Sequence, residues 1–292
     1  MTEKKSENIQ GAFYMTVCMA AFGINDALMK LGSEHFSLVQ AIFVRSIFTT
    51  LLIGGFAWYK GAFKVSIQGR DRKLIALRVT GEVFGAFFFL TAIFNMPLAN
   101  ATAILQSLPL AVTLGAALFL GETVGWRRYG AILIGFAGVM IIVRPGSEGF
   151  NSYSFYALGA ILFIVLRDLS TRRISGSIPS SFVSFLTSLV IMIVTALLLP
   201  FQDWTPLTVQ NTSILFAASL FVVFAYVLSV SSVRVGEIAF VSPFRYTILL
   251  WSMALGIFMF GDFPDTWTMV GSAIVVAMGI YTFYREQKNA AR

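Results

Sequence analysis

The sequence predicts an all-α integral membrane protein with ten transmembrane helices. Two observations carry this prediction: ten apolar runs fill the chain, and most Lys and Arg residues between them fall in alternate connections. A helix that crosses the hydrocarbon core of a bilayer needs about 20 predominantly apolar residues. By that criterion the spans, numbered one to ten in chain order, are Gly11–Leu31, Ser37–Tyr59, Leu74–Asn95, Leu98–Leu120, Trp126–Val143, Ser154–Ile174, Ser181–Phe201, Ser213–Ser232, Glu237–Phe260 and Trp267–Tyr284.

Composition supports the same class. The 292 residues are 57% hydrophobic and 12% charged, and the mean hydropathy is +0.81. A water-soluble domain of this composition would expose large apolar patches, so residues 1–292 are expected to form one membrane domain. The net charge of +7 is dispersed among short connections beside lipid head groups, which argues against a nucleic-acid partner. The single cysteine, Cys18, excludes an intrachain disulfide.

Basic residues predict the orientation of the spans, because Lys and Arg are retained on the cytoplasmic side of a membrane. With the N-terminus inside, fifteen of the 21 Lys and Arg residues lie on the cytoplasmic side, against Arg144 alone outside. Both termini are therefore predicted to be cytoplasmic, and an even number of spans satisfies that requirement. The other five basic residues lie deeper within the spans, at Lys30, Arg45, Arg78, Arg167 and Arg245.

The two halves of the chain repeat weakly. In each half a Gly and an acidic residue are followed by a Trp and two more Gly residues, with an offset of 140 to 141 residues, at Gly121, Glu122, Trp126, Gly130 and Gly138 and at Gly261, Asp262, Trp267, Gly271 and Gly279. Upstream, Asp26 with Lys30 matches Asp168 with Arg172 at an offset of 142 residues. The first unit is predicted to cover residues 11–143 and the second unit residues 154–284.

Each repeat unit holds five spans, and this odd number has a consequence for topology. The second unit must enter the membrane from the opposite side to the first, so the repeat is inverted. Inverted repeats are typical of secondary transporters, in which one half closes one face while its twin opens the other around a site near the midplane. The alternative is a duplication that serves folding alone.

Ionisable side chains inside the spans are candidates for a functional site, because each costs at least about 2.5 kcal/mol to insert without a partner or a wet cavity. Position along the helices, at about 1.5 Å per residue, predicts two clusters at different depths. Asp26 and Arg45 form a small outer cluster, while Lys30 snorkels at the outer end of its span. The larger inner cluster holds Arg78, Glu82, Arg167, Asp168 and Arg245.

Asp26 and Asp168 are the most informative of these residues. The repeat places them on opposite sides of the midplane in equivalent helices, as paired gate elements require; the alternative is polar helix packing. Arg78 and Glu82 stand four residues apart on one helical face, so they are predicted to neutralise each other. Such a pair serves either as a structural ion pair or as a gate.

Two proline-containing segments add candidate binding groups. Pro243 removes a backbone donor and frees a carbonyl beside Arg245 and Tyr246, which is typical of a segment that lines a cavity. In span four, Gln106 precedes Pro109 and supplies an uncharged donor and acceptor at membrane depth. Helix packing is the alternative for both segments, since hydrogen bonds between membrane helices are common.

Sequence motifs argue against an enzyme. The chain contains no GxxxxGK[ST] nucleotide loop and no GxSxG nucleophile elbow. The only histidine, His35, leaves no HExxH metal site. Asp26 and Asp168, at opposite depths, are too far apart to act as a catalytic dyad. Neither a cofactor nor a bound metal is expected.

Small residues recur at spacings that allow close helix packing. These patterns predict helix contacts and, on spans five and ten, a face for a homodimer. They occur at Gly81 and Gly85 in span three, Ala131 and Gly135 in span five, and Gly271 and Gly279 in span ten.

Several segments together resemble the drug/metabolite transporter superfamily, in its EamA-type branch of ten-helix carriers. The most specific are MPLANA at 96–101, LFLGE at 118–122, GWRR at 125–128, GFAG at 135–138 and VRPG at 143–146. The resemblance covers almost the whole chain. It implies a bacterial inner-membrane protein, a small-molecule substrate, and a cavity lined by spans one, three, four, six, eight and nine, with spans five and ten outside. Arg45, in span two, departs from that pattern and is expected to be structural.

The same resemblance implies a substrate class. Export of amino acids and similar metabolites is most common in the branch, and paired carboxylates and guanidiniums in an apolar, aromatic cavity suit a zwitterion with an apolar or aromatic side chain. Segments 22–27, 166–169 and 243–247 are also similar to riboflavin importers of the branch, and the first adds Asn25 beside Asp26 to the candidate site. A riboflavin importer or an S-adenosylmethionine carrier is the alternative, and a channel or receptor is the competing class.

Overall fold

The computed structural model describes residues 2–65, 67–122, 124–147, 150–235 and 238–290. Within these ranges it contains no β-strand, and ten helical segments are long and apolar enough to cross a membrane: Ser6–Gly32, Leu38–Tyr59, Gly69–Asn95, Leu98–Leu120, Trp126–Val143, Ser154–Arg173, Ser180–Phe201, Val209–Ser229, Ser242–Phe260 and Thr266–Arg285. They confirm the ten predicted spans and keep their numbers. The predicted start of span nine at Glu237 and the terminal Arg292 lie outside the described residues.

Eight spans are continuous α-helices, apart from a 3-10 turn at Leu199–Phe201 that closes span seven. The eight helices run Thr2–Gly32, Leu38–Tyr59, Gly69–Asn95, Trp126–Val143, Ser154–Arg173, Ser180–Leu198, Val209–Val235 and Thr266–Ala290.

Spans four and nine are broken helices. Span four consists of Leu98–Leu105 and Leu108–Leu120, because the ring of Pro109 conflicts with the carbonyl four residues earlier and lacks an N–H. Span nine consists of Ile238–Val241, a 3-10 segment Ser242–Tyr246 that contains Pro243, and Thr247–Phe260. The two breaks fall in the corresponding spans of the two halves, and broken helices are typical of transporter binding sites.

The matched Gly-acidic sequences have the same local structure. Gly121 (φ 71°) and Gly261 (φ 68°) both end their helices in the left-handed conformation, which glycine adopts without a steric penalty. The next N–H, of Glu122 in one case and Asp262 in the other, donates back into the last helical turn, at 3.3 Å to the carbonyl of residue 116 and 3.0 Å to that of residue 256. The similarity at this offset is therefore structural as well as sequential.

The main contacts between spans have equivalent contacts between the corresponding spans of the other half. Span one packs against span eight, span three against span six, span two against span seven, and span five against span ten. Exchanging each span with the span five places away converts the one–eight contact into the six–three contact. The one–nine contact is converted into the six–four contact in the same way, and both are present. Large apolar side chains such as Leu133, Leu162 and Phe258 cover the outside and suit a lipid environment.

The glycine faces of spans five and ten pack on each other within the chain. A methyl group added at Gly271 would lie 2.6 Å from the carbonyl oxygen of Gly138, so the two backbones are in direct contact. The Gly279 face is covered by the ring of Tyr246. The small-residue patterns of these two spans therefore serve intramolecular helix packing, and the homodimer through spans five and ten stays a prediction.

Candidate substrate site

Arg167 in span six lies between two carboxylates. Its Nη1 is 3.2 Å from Oε2 of Glu82 in span three, and its Nε is 2.8 Å from Oδ1 of Asp168. This arrangement corrects the predicted pairing of Glu82 with Arg78. Residues four apart on a helix are neighbours. Span six packs so closely on span three, however, that Glu82 pairs with Arg167 and not with Arg78.

Close contact between spans three and six depends on Gly81, one residue before Glu82. A methyl group at Gly81 would lie 2.7 Å from the carbonyl oxygen of Phe163 and 2.8 Å from the backbone nitrogen of Arg167. Only a residue without a Cβ allows this approach. The helix contact predicted from Gly81 and Gly85 is thus confirmed, and it positions the Glu82–Arg167 pair.

Arg78 points to span seven. Its Nη1 donates to Oγ1 of Thr187 at 2.6 Å, while that hydroxyl donates to the carbonyl oxygen of Val183 at 2.7 Å. The Nε of Arg78 is buried without a hydrogen-bond partner. The guanidinium is therefore anchored through one nitrogen and retains free donors.

Asp26 belongs to a hydrogen-bonded chain with Asn25 and Arg45. The Nδ2 of Asn25, which is buried, donates to Oδ1 of Asp26 at 2.9 Å, and its Oδ1 accepts from Nη1 of Arg45 at 3.3 Å. The Nε of Arg45 is buried and has no hydrogen-bond partner. Arg45 was expected to be structural because span two is outside the family's cavity; its side chain nevertheless reaches Asn25 beside Asp26.

Tyr226 in span eight is the residue that sequence reasoning missed. Its ring meets Phe22 of span one edge to face, with centroids 5.5 Å apart, and the residue remains 41% exposed. The charges of Glu82, Arg167, Arg78 and Arg45, from spans three, six and two, act on it electrostatically. Tyr226 therefore lies within range of the charged groups of the candidate site. The sequence pointed to Tyr226 only through the family resemblance, which places span eight among the spans that line the cavity.

The two predicted clusters are close enough to interact electrostatically. Arg45, from the outer cluster, has Asp26, Tyr226 and Glu82 as electrostatic neighbours, and Glu82 belongs to the inner cluster. Long arginine side chains bridge the difference in depth that Cα positions predicted. The result is one region with three guanidiniums and three carboxylates, contributed by Arg45, Arg78, Arg167, Asp26, Glu82 and Asp168.

The segment 242–246 separates two residues that were predicted to act together. Arg245 is exposed, and its charge acts electrostatically on Cys18 of span one. Tyr246 is buried, and its hydroxyl packs on Gly279 of span ten without a hydrogen-bond partner. The 3-10 geometry directs adjacent side chains to different sides. Tyr246 was predicted to lie beside Arg245 in a cavity, but it packs between spans nine and ten.

Gln106 occupies the break in span four. It is partly buried, and its backbone N–H donates to the carbonyl oxygen of Thr102 at 3.0 Å as the last bond of the first helix. Its position agrees with a lining role at an interrupted helix. Within the described residues, no group of His, Cys, Asp and Glu side chains is arranged to hold a metal ion.

The ten apolar helices of the described residues, with partly buried groups of both charges between them, define a multi-pass membrane protein of the transporter class. A sequence model of the EamA-like transporter family matches residues 9–144 and, a second time, residues 151–284. The chain therefore belongs to the EamA-like transporter family, as the resemblance in its sequence predicted.

Similar proteins are named as transporters of several small molecules. A riboflavin transporter of Vibrio cholerae is 28% identical, and the match covers 99% of this chain and 97% of that protein. An S-adenosylmethionine uptake transporter of Rickettsia felis is 24% identical over 100% of this chain and 98% of its own. A pseudopaline exporter of Pseudomonas aeruginosa is 27% identical over 91% and 93%. The chain is thus a small-molecule transporter, and a catalytic role is not indicated by any of these names.

A solved crystal structure shares the fold. It superposes with a TM-score of 0.65 at 15% sequence identity, and the match covers 95% of this chain and 98% of the other. At this identity the likeness shows the ten-helix architecture alone.

Proposed function

We propose that the protein is a secondary carrier that exports apolar or aromatic amino acids across a bacterial inner membrane by alternating access. Both termini face the cytoplasm in this proposal, and residues 11–143 and 154–284 form two inverted five-helix repeats. The exchange pattern of the helix contacts, the matched caps at Gly121 and Gly261, and the double family match support the repeat. A substrate site between two such units is reached from each face in turn.

One observation carries the substrate class: the site retains unused binding groups of both charges. Among the described residues, no hydrogen-bond partner meets the buried Nε of Arg45 or that of Arg78, and buried polar groups in proteins are normally satisfied. Asp26 receives its hydrogen bond from the neutral Asn25 rather than from a basic residue. An α-carboxylate on the guanidiniums and an α-ammonium on Asp26 would complete the site through charge-assisted hydrogen bonds.

Aromatic rings beside these charges support an apolar or planar remainder on the substrate. The Phe22 and Tyr226 rings contact each other, and the charges of Arg45 and Glu82 act on Tyr226. Edge and face positions on such rings accept a third ring favourably. An aromatic amino acid uses both parts of the site, its head group on the charges and its side chain on the rings.

The relatives favour two other candidates with planar groups. S-adenosylmethionine carries an amino-acid head group together with a purine ring, so it satisfies both parts of the site. Riboflavin offers a large ring system but neither a carboxylate nor an ammonium group. It would use the aromatic rings and leave the guanidiniums without an anion.

A head-group series tests the proposal. Purified protein is assayed for thermal stabilisation, and proteoliposomes for counterflow, with phenylalanine, phenethylamine, 3-phenylpropanoate, S-adenosylmethionine and riboflavin. Phenylalanine should act, while the two compounds that lack one charged group should not. Arg45→Met and Arg78→Met should each abolish the effect of phenylalanine. Arg127→Met is the matched control, because Arg127 is exposed and lies over the ring of Trp126.

Two contrary results would each indicate a different function. Stabilisation by riboflavin and by no amino acid would make the protein a riboflavin importer. Uptake without acceleration by internal substrate would indicate a channel, since a channel needs one continuous wet path. Release of labelled phenylalanine from preloaded cells, in excess of that from cells with the Arg45→Met variant, is the result expected for export.

A further inference from the structure

Two ion pairs outside the substrate site occupy equivalent places in the two halves. Lys30 and Asp262 form the first, with Nζ 3.7 Å from Oδ2; Arg172 and Glu122 form the second, with Nη1 3.2 Å from Oε1. Lys30 matches Arg172 at an offset of 142 residues, and Glu122 matches Asp262 at an offset of 140. Each pair therefore contains the equivalents of the residues in the other.

The two pairs lie on opposite faces of the membrane. Span one crosses from the first face to the second with Lys30 in its last turn, and span nine crosses in the same direction before Asp262. Span six crosses in the other direction and ends at Arg172, as span four does before Glu122. The Lys30–Asp262 pair is called the outer latch below, and the Arg172–Glu122 pair the inner latch.

Each latch fixes the end of a span that carries substrate-site residues. The outer latch holds span one, with Asn25 and Asp26, to the end of span nine; Lys30 also donates to the carbonyl oxygen of Met96 at 2.6 Å and lies 5.3 Å from the centre of the Phe260 ring. The inner latch holds span six, with Arg167 and Asp168, to the end of span four. Arg173 strengthens it by donating to the carbonyl oxygen of Phe119 at 3.3 Å.

We propose that the outer and inner latches are the alternating closures of the transport cycle. Breaking the outer latch frees the outer end of span one from span nine and opens the site to the outside. Breaking the inner latch frees span six from span four and opens the site to the cytoplasm. The proposal rests on the alternating access of the proposed function, but not on the identity of the substrate.

The latches differ in strength. The outer latch is largely buried, with side-chain exposures of 14% and 30%, whereas the side chains of the inner latch are 49% and 47% exposed. Exposed ion pairs are weak and are screened by salt. The wild type should therefore open more readily to the cytoplasm, and high salt should increase that opening.

Accessibility of a single cysteine at the site measures opening without a substrate. Cys18→Ser removes the natural thiol and retains its donor to the carbonyl oxygen of Ala225, and Tyr226→Cys places a reporter at the site. A membrane-impermeant maleimide is then applied to right-side-out and inside-out vesicles. Asp262→Asn should raise labelling from outside several-fold, and Glu122→Gln should raise labelling from the cytoplasmic side several-fold.

Charge exchange separates a latch from a structural contact. Lys30→Asp with Asp262→Lys, and Arg172→Glu with Glu122→Arg, should each return labelling to the wild-type rate. Asp265→Asn is the matched control: Asp265 pairs with Arg144 between spans five and ten, which carry none of the site residues, and its hydrogen bond to the backbone of Thr268 can be kept by Asn. This control should change labelling from neither side.

Three results would overturn the latches: equal labelling of variants and wild type, both latch variants opening the same face, or an equal effect of Asp265→Asn. Lys30→Gln and Arg172→Gln break the same two ion pairs by removing the basic residue. Each must change labelling from the same side as Asp262→Asn and Glu122→Gln, respectively. Failure of the substrate proposal is separate, since it shows as absent amino-acid stabilisation and counterflow while side-specific labelling persists.

Discussion

Replacing Gly81 with Ala should separate spans three and six and disable the site between them. The added methyl group would lie 2.7 Å from a backbone oxygen, whereas ordinary contact begins at 3.4 Å, so the helices must part by about 0.7 Å. Backbone atoms cannot move aside as a flexible side chain does. Overpacking of this kind costs about 1 to 3 kcal/mol, against which the higher helix propensity of Ala recovers at most about 1 kcal/mol.

The same displacement reaches the charged site. The Glu82–Arg167 distance of 3.2 Å would increase to about 3.9 Å, beyond the range of a hydrogen bond. Misplacement on this scale costs enzymes up to about a hundredfold in rate, and we expect transport by Gly81→Ala to fall on the order of tenfold. Counterflow in proteoliposomes at equal protein content measures the rate, and thermal unfolding in detergent measures the stability.

Gly130→Ala is the matched control for this experiment. Gly130 lies inside the helix of span five, and a methyl group there would meet nothing within 4 Å. Alanine should therefore stabilise this position by up to about 1 kcal/mol and leave transport unchanged. If Gly81→Ala unfolds at the wild-type temperature or above it, as Gly130→Ala should, the backbone contact does not limit the packing of spans three and six.

Three further predictions concern single side chains. Asp26→Asn and Asp168→Asn should both lower the counterflow rate at equal expression, and wild-type rates in both would remove their gating role. Tyr246→Phe should retain transport and unfold at or slightly above the wild-type temperature, because it removes a buried hydroxyl that has no partner; a loss of substrate stabilisation would return Tyr246 to the site. Partial burial of Asp265 is outweighed by hydrogen bonds from Thr268 and Arg144, which hold the pKa of its carboxyl below the usual 3.8. The ionised carboxylate therefore stabilises the fold above pH 3.8, and this contribution is lost as the pH falls below that value. The difference in unfolding temperature between wild type and Asp265→Asn should be largest near neutral pH and shrink below pH 3.8.

The sequence by itself determined the architecture. Span length and hydropathy are properties of short stretches of chain, so they can be counted without knowing what packs against what. The boundaries of spans four and five agree with the structure to the residue. The equivalence of Lys30 with Arg172 and of Glu122 with Asp262 was also present in the spacing of the repeat.

Tertiary structure decided which side chains meet. Sequence spacing paired Arg78 with Glu82, but the glycine contact at Gly81 brings Arg167 to Glu82 instead. Arg45 was assigned to the outside of the site by the position of its span, although its guanidinium reaches Asn25.

Tyr226 carried no charge that would mark it, and Tyr246 faces span ten because the 3-10 segment turns it there. The physical reason is one of scale. A span is fixed by some twenty consecutive residues and the bilayer, whereas a contact between long side chains of different helices depends on sub-ångström differences in how those helices pack, which no local pattern records.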